Sequence, residues 1–272
     1  MLYDYIKCGD CVSLMQELPD KCIDLIVTSP PYDNLRSYKG YSFDFEAVAN
    51  QLYRITKQGG VVVWVVNDAT IKGSETGTSF RQALYFKDIG FNLHDTMIYL
   101  KNNPTPQKSN RYQGSFEYMF VFSKGTPKTF NPITQKKKYI ENRRAKQYNK
   151  KQNGEQIIHP YESKSDEKII SNVWSYSVGL NNSTCDKIAF QHPAIFPEKL
   201  AEDHILSWSN EGDIVLDPFV GSGTTAKMAV LNGRHYIGFD ISEEYCEIAR
   251  SRVETIQNEC EGQYGEKMDS KI

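Results

Sequence analysis

Two strings in this chain combine residue types that could do chemistry. Thr28-Ser29-Pro30-Pro31-Tyr32 puts a hydroxyl, two prolines and an aromatic ring side by side. That set suits a planar ring bearing an exocyclic amine. Such an amine is a poor nucleophile, because its lone pair is delocalised into the ring. Ser29 Oγ and the Pro30 carbonyl can accept hydrogen bonds from both of its N–H groups, which aims the lone pair outward. Neither acceptor is a strong base, so rate would come from alignment and electrostatic preorganisation. Prolines fix the backbone here, and Tyr32 offers a face for stacking. The second string, Asp217-Pro218-Phe219-Val220-Gly221-Ser222-Gly223-Thr224-Thr225, follows the apolar run Ile214-Val215-Leu216. Gly221 and Gly223 permit a tight turn and a close approach to a ligand, and Thr224 and Thr225 are expected to cap the next helix. Asp240, about 20 residues on at the end of the next expected strand, stands where an acid binds ribose hydroxyls. No Walker-type Gly-Lys-Ser/Thr follows the glycines, which disfavours a triphosphate. The second string therefore reads as a nucleoside-cofactor turn.

Both strings, in this order, resemble the DNA amino-methyltransferases, and more narrowly their permuted (beta) group, in which the catalytic string precedes the S-adenosylmethionine (AdoMet) loop. The resemblance covers most of residues 4–124 and 190–255. It implies an AdoMet-dependent enzyme that flips a base out of double-stranded DNA and methylates its amino group. It implies catalytic roles for Ser29, Pro30, Pro31 and Tyr32. Asp217 and the turn with Phe219, Gly221, Ser222 and Gly223 would hold the methionine part of AdoMet and Asp240 the ribose, with Pro218, Thr224 and Ile241 also counted as cofactor-binding. Asp10 matches the family's acid near the adenine. His192 and Pro193 match the segment packed against the methionine end, and Thr28 is counted with the cofactor site. A serine at position 29 resembles cytosine-N4 enzymes more often, although adenine-N6 enzymes use it too, so the target leans to cytosine and stays open. Cytosine-C5 chemistry is disfavoured because no Pro-Cys pair occurs. Two rivals remain. RNA or protein-amide methyltransferases share such strings but usually in the reverse order. A non-catalytic AdoMet- or DNA-binding module would be signalled by a damaged catalytic string, and this one is intact.

The elements that must position these residues alternate. Strands are expected at 24–27, 61–66, 94–100, 116–123, 214–216 and 235–239, and helices at 45–56, 78–89, 196–208, 224–231 and 243–255. That order points to an α/β, doubly wound, Rossmann-like methyltransferase sheet. Texture changes near Lys124. From Lys136 to Lys151 there are eight basic residues against one acid, Glu141, with Tyr139 and Tyr148 interleaved. Residues 125–189 read as an inserted target-recognition lobe between 1–124 and 190–258, the two parts of a discontinuous catalytic domain. A polar, flexible tail is expected over 259–272.

Composition sets the bounds. The 272 residues are 39% hydrophobic and 24% charged, with a net charge of −2, so DNA affinity must come from a local patch. Lys136, Lys137, Lys138, Arg143 and Arg144 are the candidate phosphate contacts, the rival reading being a solvated insertion. Six cysteines are scattered, and Cys8-Gly9-Asp10-Cys11 lacks the second pair that a zinc site needs, so no metal is expected. No secretory signal or membrane-length apolar stretch is read. The expected setting is a bacterial or phage-encoded cytoplasmic protein, monomer or homodimer, with a restriction endonuclease as a candidate partner.

Overall fold

The expected alternation of strand and helix is present, with more strands than the sequence suggested. The structure, a computed structural model, describes residues 3–31, 43–107, 110–137, 145–151, 153–161 and 165–269. In chain order the elements of the first part are β1 (Tyr5–Cys8), α1 (Cys11–Gln16), β2 (Ile23–Thr28), α2 (Phe45–Ile55), β3 (Thr56–Val66), β4 (Thr70–Ile71), β5 (Ser74–Glu75), α3 (Thr78–Asp88), β6 (Asn92–Lys101) and β7 (Phe116–Ser123). Then come β8 (Thr134–Lys136), β9 (Ala145–Lys150), β10 (Gln156–Tyr161), β11 (Glu167–Ile169) and β12 (Val173–Tyr176). The last part holds α4 (Glu198–Trp208), β13 (Ile214–Asp217), α5 (Thr224–Leu231), β14 (His235–Asp240) and α6 (Glu243–Asp269).

Eight strands form one sheet in the order β1-β14-β13-β2-β3-β7-β6-β12. All pairs are parallel except β3 with β7 and β7 with β6. From β2 the chain moves outward to β3, whereas from β13 it moves the opposite way, to β14. The crevice beyond the carboxyl ends of β2 and β13 is therefore the switch point at which α/β sheets bind ligands. Successive side chains of a strand point to opposite faces. On β3, Val62, Trp64 and Val66 join a core cluster with Leu52 of α2 and Phe86 of α3. Their neighbours Val61, Val63 and Val65 are just as buried, so both faces are covered. Central strands therefore read as unbroken apolar runs.

The chain divides into two compact units, Met1–Asn131 with Asn172–Ile272, and Pro132–Ser171. The smaller unit is narrower than the lobe expected at 125–189. It contains two antiparallel pairs, β8 with β11 and β9 with β10. Residues 172–176 belong instead to the main sheet, where β12 pairs in parallel with β6. Two more expectations change. The strand expected at 61–66 begins earlier, directly after α2, because Thr56 already pairs with Ile23 before the register shifts. Residues 259–269, expected as a flexible tail, continue α6 to Asp269. Most residues there are straight-chain helix formers, and extending an existing helix is far easier than nucleating one.

Candidate active site

A cavity of about 560 Å³ opens at the switch point of the larger unit. One side is formed by the ends of β1, β13 and β14. The other is formed by the end of β2 and by β6, β7 and the segment after β12.

On the first side, the turn after β13 is shaped by its glycines. Gly221 has φ +49°, and a Cβ there would meet His192 Nε2 at 3.0 Å. Gly223 has φ +83°, and its Cβ would lie 2.8 Å from Ala249 Cα of α6. Gly223, not a threonine, is the N-cap of α5. Thr224 and Thr225 lie inside the first turn, where Thr225 Oγ1 donates to the Val27 carbonyl at 3.1 Å. The left-handed conformation of position 223 explains the shift, since β-branched threonine resists it. Asp240 closes the turn from β14. Its carboxylate accepts from Gly221 N at 3.0 Å and Ser242 N at 2.9 Å, and burial pushes its pKa up. Asp10 caps α1, accepting from Ser13 N at 2.9 Å and Ser13 Oγ at 2.8 Å. Asp10, His192, Pro193, Pro218, Phe219, Gly221, Ser222, Thr224, Asp240 and Ile241 all line the cavity.

Asp217, Thr28 and Gly223 are not among the cavity-lining residues. Asp217 is 2% exposed and accepts from Thr28 Oγ1 at 2.6 Å and Phe219 N at 3.1 Å. It ties the end of β2 to the cofactor turn from behind. Burial raises its pKa to about 6, against the opposing pull of these donors.

Behind the same turn lies a buried ionic cluster that the sequence reading missed. Arg252 of α6, 1% exposed at its side chain, donates to Asp186 at 2.9 Å and Glu198 at 2.6 Å. It also donates to the Ser222 carbonyl. Lys227 of α5 reaches the same two carboxylates, both at 2.8 Å. Burial alone would raise the Asp186 pKa, but Lys227 and Arg252 hold it below the ordinary value. Charges in a low-dielectric interior are costly unless paired this fully. The four residues come from separate segments, so no local motif announced them.

The second side holds Ser29, Pro30 and Pro31. Tyr32 lies outside the described residues. The same side holds Tyr99, Lys101, Glu117 and Val178. Tyr99 pairs in register with Glu117, and Lys101 forms an ion pair with Glu117 at 2.5 Å. The sequence placed Glu117 in the strand expected at 116–123 without giving it a role. Its signal is a carboxylate in strand alternation with Met119 and Val121, both fully buried.

Of the candidate DNA contacts, Lys136 ends β8 and is exposed. Lys137 donates its backbone N–H to the Asp166 carbonyl at 2.8 Å and its ammonium to the Ser165 carbonyl. Lys138, Arg143 and Arg144 lie outside the described residues. Among the described residues no helix is long and apolar enough to cross a membrane.

Comparison with known proteins gives this geometry its family. The N6/N4 methyltransferase family model, described as DNA methylase, matches residues 23–251. The orphan methyltransferase M.BamHII of Bacillus amyloliquefaciens is 60% identical over 243 residues, covering 88% of this chain and 92% of that protein. The fold is that of the PvuII DNA methyltransferase (cytosine-N4-specific), with a TM-score of 0.68 at 22% identity over 93% of this chain and 86% of that one. It is also that of the M1.HpyAVI–SAM complex, with a TM-score of 0.59 at 22% identity over 92% and 98%. The chain belongs to the N6/N4 DNA methylase family and is an AdoMet-dependent DNA amino-methyltransferase.

Proposed function

We propose that this enzyme methylates the N4 amino group of a cytosine flipped out of double-stranded DNA, and that it is of the permuted group, with its catalytic string before its AdoMet loop. The observation that carries the reading is that Ser29 and Pro30 line the same cavity as Gly221 and Asp240. An amine held by the first pair therefore faces a nucleoside held by the second. A serine in the catalytic string, and the cytosine-N4 specificity of the PvuII enzyme that shares the fold, favour cytosine over adenine. The orphan status named for the M.BamHII relative favours action without a restriction partner.

The residues fit AdoMet on their own chemistry. The turn at Gly221 has room for backbone but not for a Cβ, and carboxylates stand at the adenosine end. Asp240 would accept from the ribose hydroxyls, Asp10 would hold the adenine end, and His192 and Pro193, with Pro218 to Ser222, would hold the methionine end. AdoMet supplies an electrophilic methyl group on a sulfonium sulfur. Ser29 Oγ and the Pro30 carbonyl accept the two amino N–H groups and favour the positive charge that develops on nitrogen. Tyr32 stacks on the base, repaying part of the few kcal/mol that flipping costs. The 132–171 unit supplies phosphate contacts, with Lys136 and Lys137 the two described residues among the five candidate contacts. The test is mass spectrometry of nucleosides from DNA treated with enzyme and AdoMet. N4-methyldeoxycytidine is expected, and N6-methyldeoxyadenosine would overturn the cytosine assignment.

A further inference from the structure

We propose that Lys101, held by Glu117, donates to the 2-carbonyl of the target cytosine and thereby selects cytosine over adenine. This rests on the cytosine-N4 reading above and assigns the half of the cavity that the reading leaves without a role.

Cytosine presents three groups in a row on one edge: the 4-amino group, the N3 acceptor and the 2-carbonyl. Adenine presents its 6-amino group, the N1 acceptor and then a C–H. The first two groups match, so acceptors at the amine cannot tell the bases apart. A donor placed for the third group can. Ser29 Oγ and the Pro30 carbonyl meet the amine as acceptors. In the same half of the cavity, farther along the sheet, stands a cation, Lys101, with a carboxylate, Glu117, 2.5 Å away. Their side chains are 24% and 14% exposed, so both open onto the cavity while shielded from bulk water. An ammonium carries three N–H donors. Glu117 uses one and fixes the direction of the others.

The sheet sets the span. Neighbouring strands lie about 4.8 Å apart, so β7 and β6 stand roughly 10 Å and 14 Å from β2. A six-membered ring hydrogen-bonded at opposite ends, plus the reach of a lysine side chain, fills that gap. Tyr99 sharpens the site. Its ring lies beneath the Lys101 ammonium, 5.8 Å from it. Its hydroxyl is buried without a hydrogen-bond partner among the described residues. Thymine and uracil also carry a 2-carbonyl, but lacking the amine they fail at Ser29 and Pro30. Of cytosine and adenine, only cytosine satisfies both ends.

The test uses the full chain and a duplex containing its own methylation site, found by sequencing DNA that it has modified. The target position carries either cytosine or its carbon-linked 2-aminopyridine analogue, which keeps the amino group and the adjacent ring nitrogen and has a C–H in place of the 2-carbonyl. Single-turnover rates are measured at saturating AdoMet. Wild type should prefer cytosine by roughly 10- to 100-fold. Lys101→Met should bring the two substrates to within about threefold, by slowing cytosine transfer. Lys101→Arg, which keeps a donor, should retain most of the preference. Glu117→Gln, which keeps the ammonium but loosens its hold, should fall between. Calorimetric AdoMet affinity at the wild-type value identifies variants that are folded. A folded Lys101→Met or Glu117→Gln protein with the wild-type preference overturns the proposal and leaves the cytosine reading standing. An N6-methyladenine product from the wild type overturns both.

Discussion

The two halves of the cavity are built differently. The cofactor half is backbone: short turns after β1, β13 and β14, closed by glycines and braced from behind by the Arg252 cluster and Asp217. The target half is side chains: Ser29 on one wall, and Lys101 and Glu117 on strands farther along the sheet. A nucleoside cofactor is constant, so its half can be rigid. A base that must be flipped in, read and released needs groups that can differ between relatives. The difference predicts that damage to the first half is structural and general, whereas damage to the second is chemical and selective.

The largest effect should come from the brace. Arg252→Ala leaves Asp186 and Glu198 with Lys227 as their one remaining cation among the described partners. Removing one member of a buried ionic group costs about 3–5 kcal/mol. Denaturant unfolding should show that loss, together with weaker AdoMet binding. Stability within about 1 kcal/mol of wild type would mean the cluster does not hold the turn.

Asp217 sits at the seam between the halves, and its effect depends on pH. Its folded pKa of about 6 lies above the ordinary 3.8. Between these values the native state binds more protons than the unfolded state, so this group's contribution falls as pH rises from about 4 to 6. Above the folded pKa the full cost of the buried charge, on the order of 2–3 kcal/mol, is present. Asp217→Asn should remove that downward slope from unfolding free energies measured across pH 4–8. Parallel curves for wild type and variant would exclude the buried charge as their source.

The smallest effect belongs to the 132–171 unit. Lys136→Ala with Lys137→Ala should weaken binding to all DNA sequences alike. For every phosphate that is no longer neutralised, the salt dependence should flatten by roughly 0.9 in log–log slope. An unchanged slope would make this pair a solvated surface and move the phosphate-binding role elsewhere.

The same contrast explains what could be read from sequence. The cofactor half lies in local strings: Asp217 to Thr224 and Asp240 obey a strand–turn–strand spacing that one glance can test. Even there, burial was invisible, so Asp217 and Thr28 were counted with the cofactor although they stand behind the wall. The cap went to Thr224 and Thr225 on side-chain chemistry, when backbone conformation gives it to Gly223. In the target half Ser29 and Pro30 were legible, because proline marks a strand end. Lys101 and Glu117 were not, because they meet across two strands and only the β6–β7 register brings them together. β12 was hidden for a related reason. Val173–Tyr176 is too short to show a period, and its place beside β6 depends on a crossover that no local pattern encodes.

The most direct test of two halves with separate tasks is a crossed measurement on Ser29→Ala, Asp240→Ala and the double variant. AdoMet affinity is read by calorimetry, and the methyl-transfer rate by single turnover at saturating AdoMet. Ser29→Ala should slow transfer by roughly 100- to 1000-fold, the scale for losing a preorganised polar contact to the reacting group, with AdoMet affinity unchanged. Asp240→Ala should weaken AdoMet by roughly 10- to 100-fold, the scale for hydrogen bonds to a charged acceptor, with a near-normal rate once saturated. In the double variant the two losses should add. A Ser29→Ala protein that loses AdoMet affinity as Asp240→Ala does would contradict the division on which this account rests.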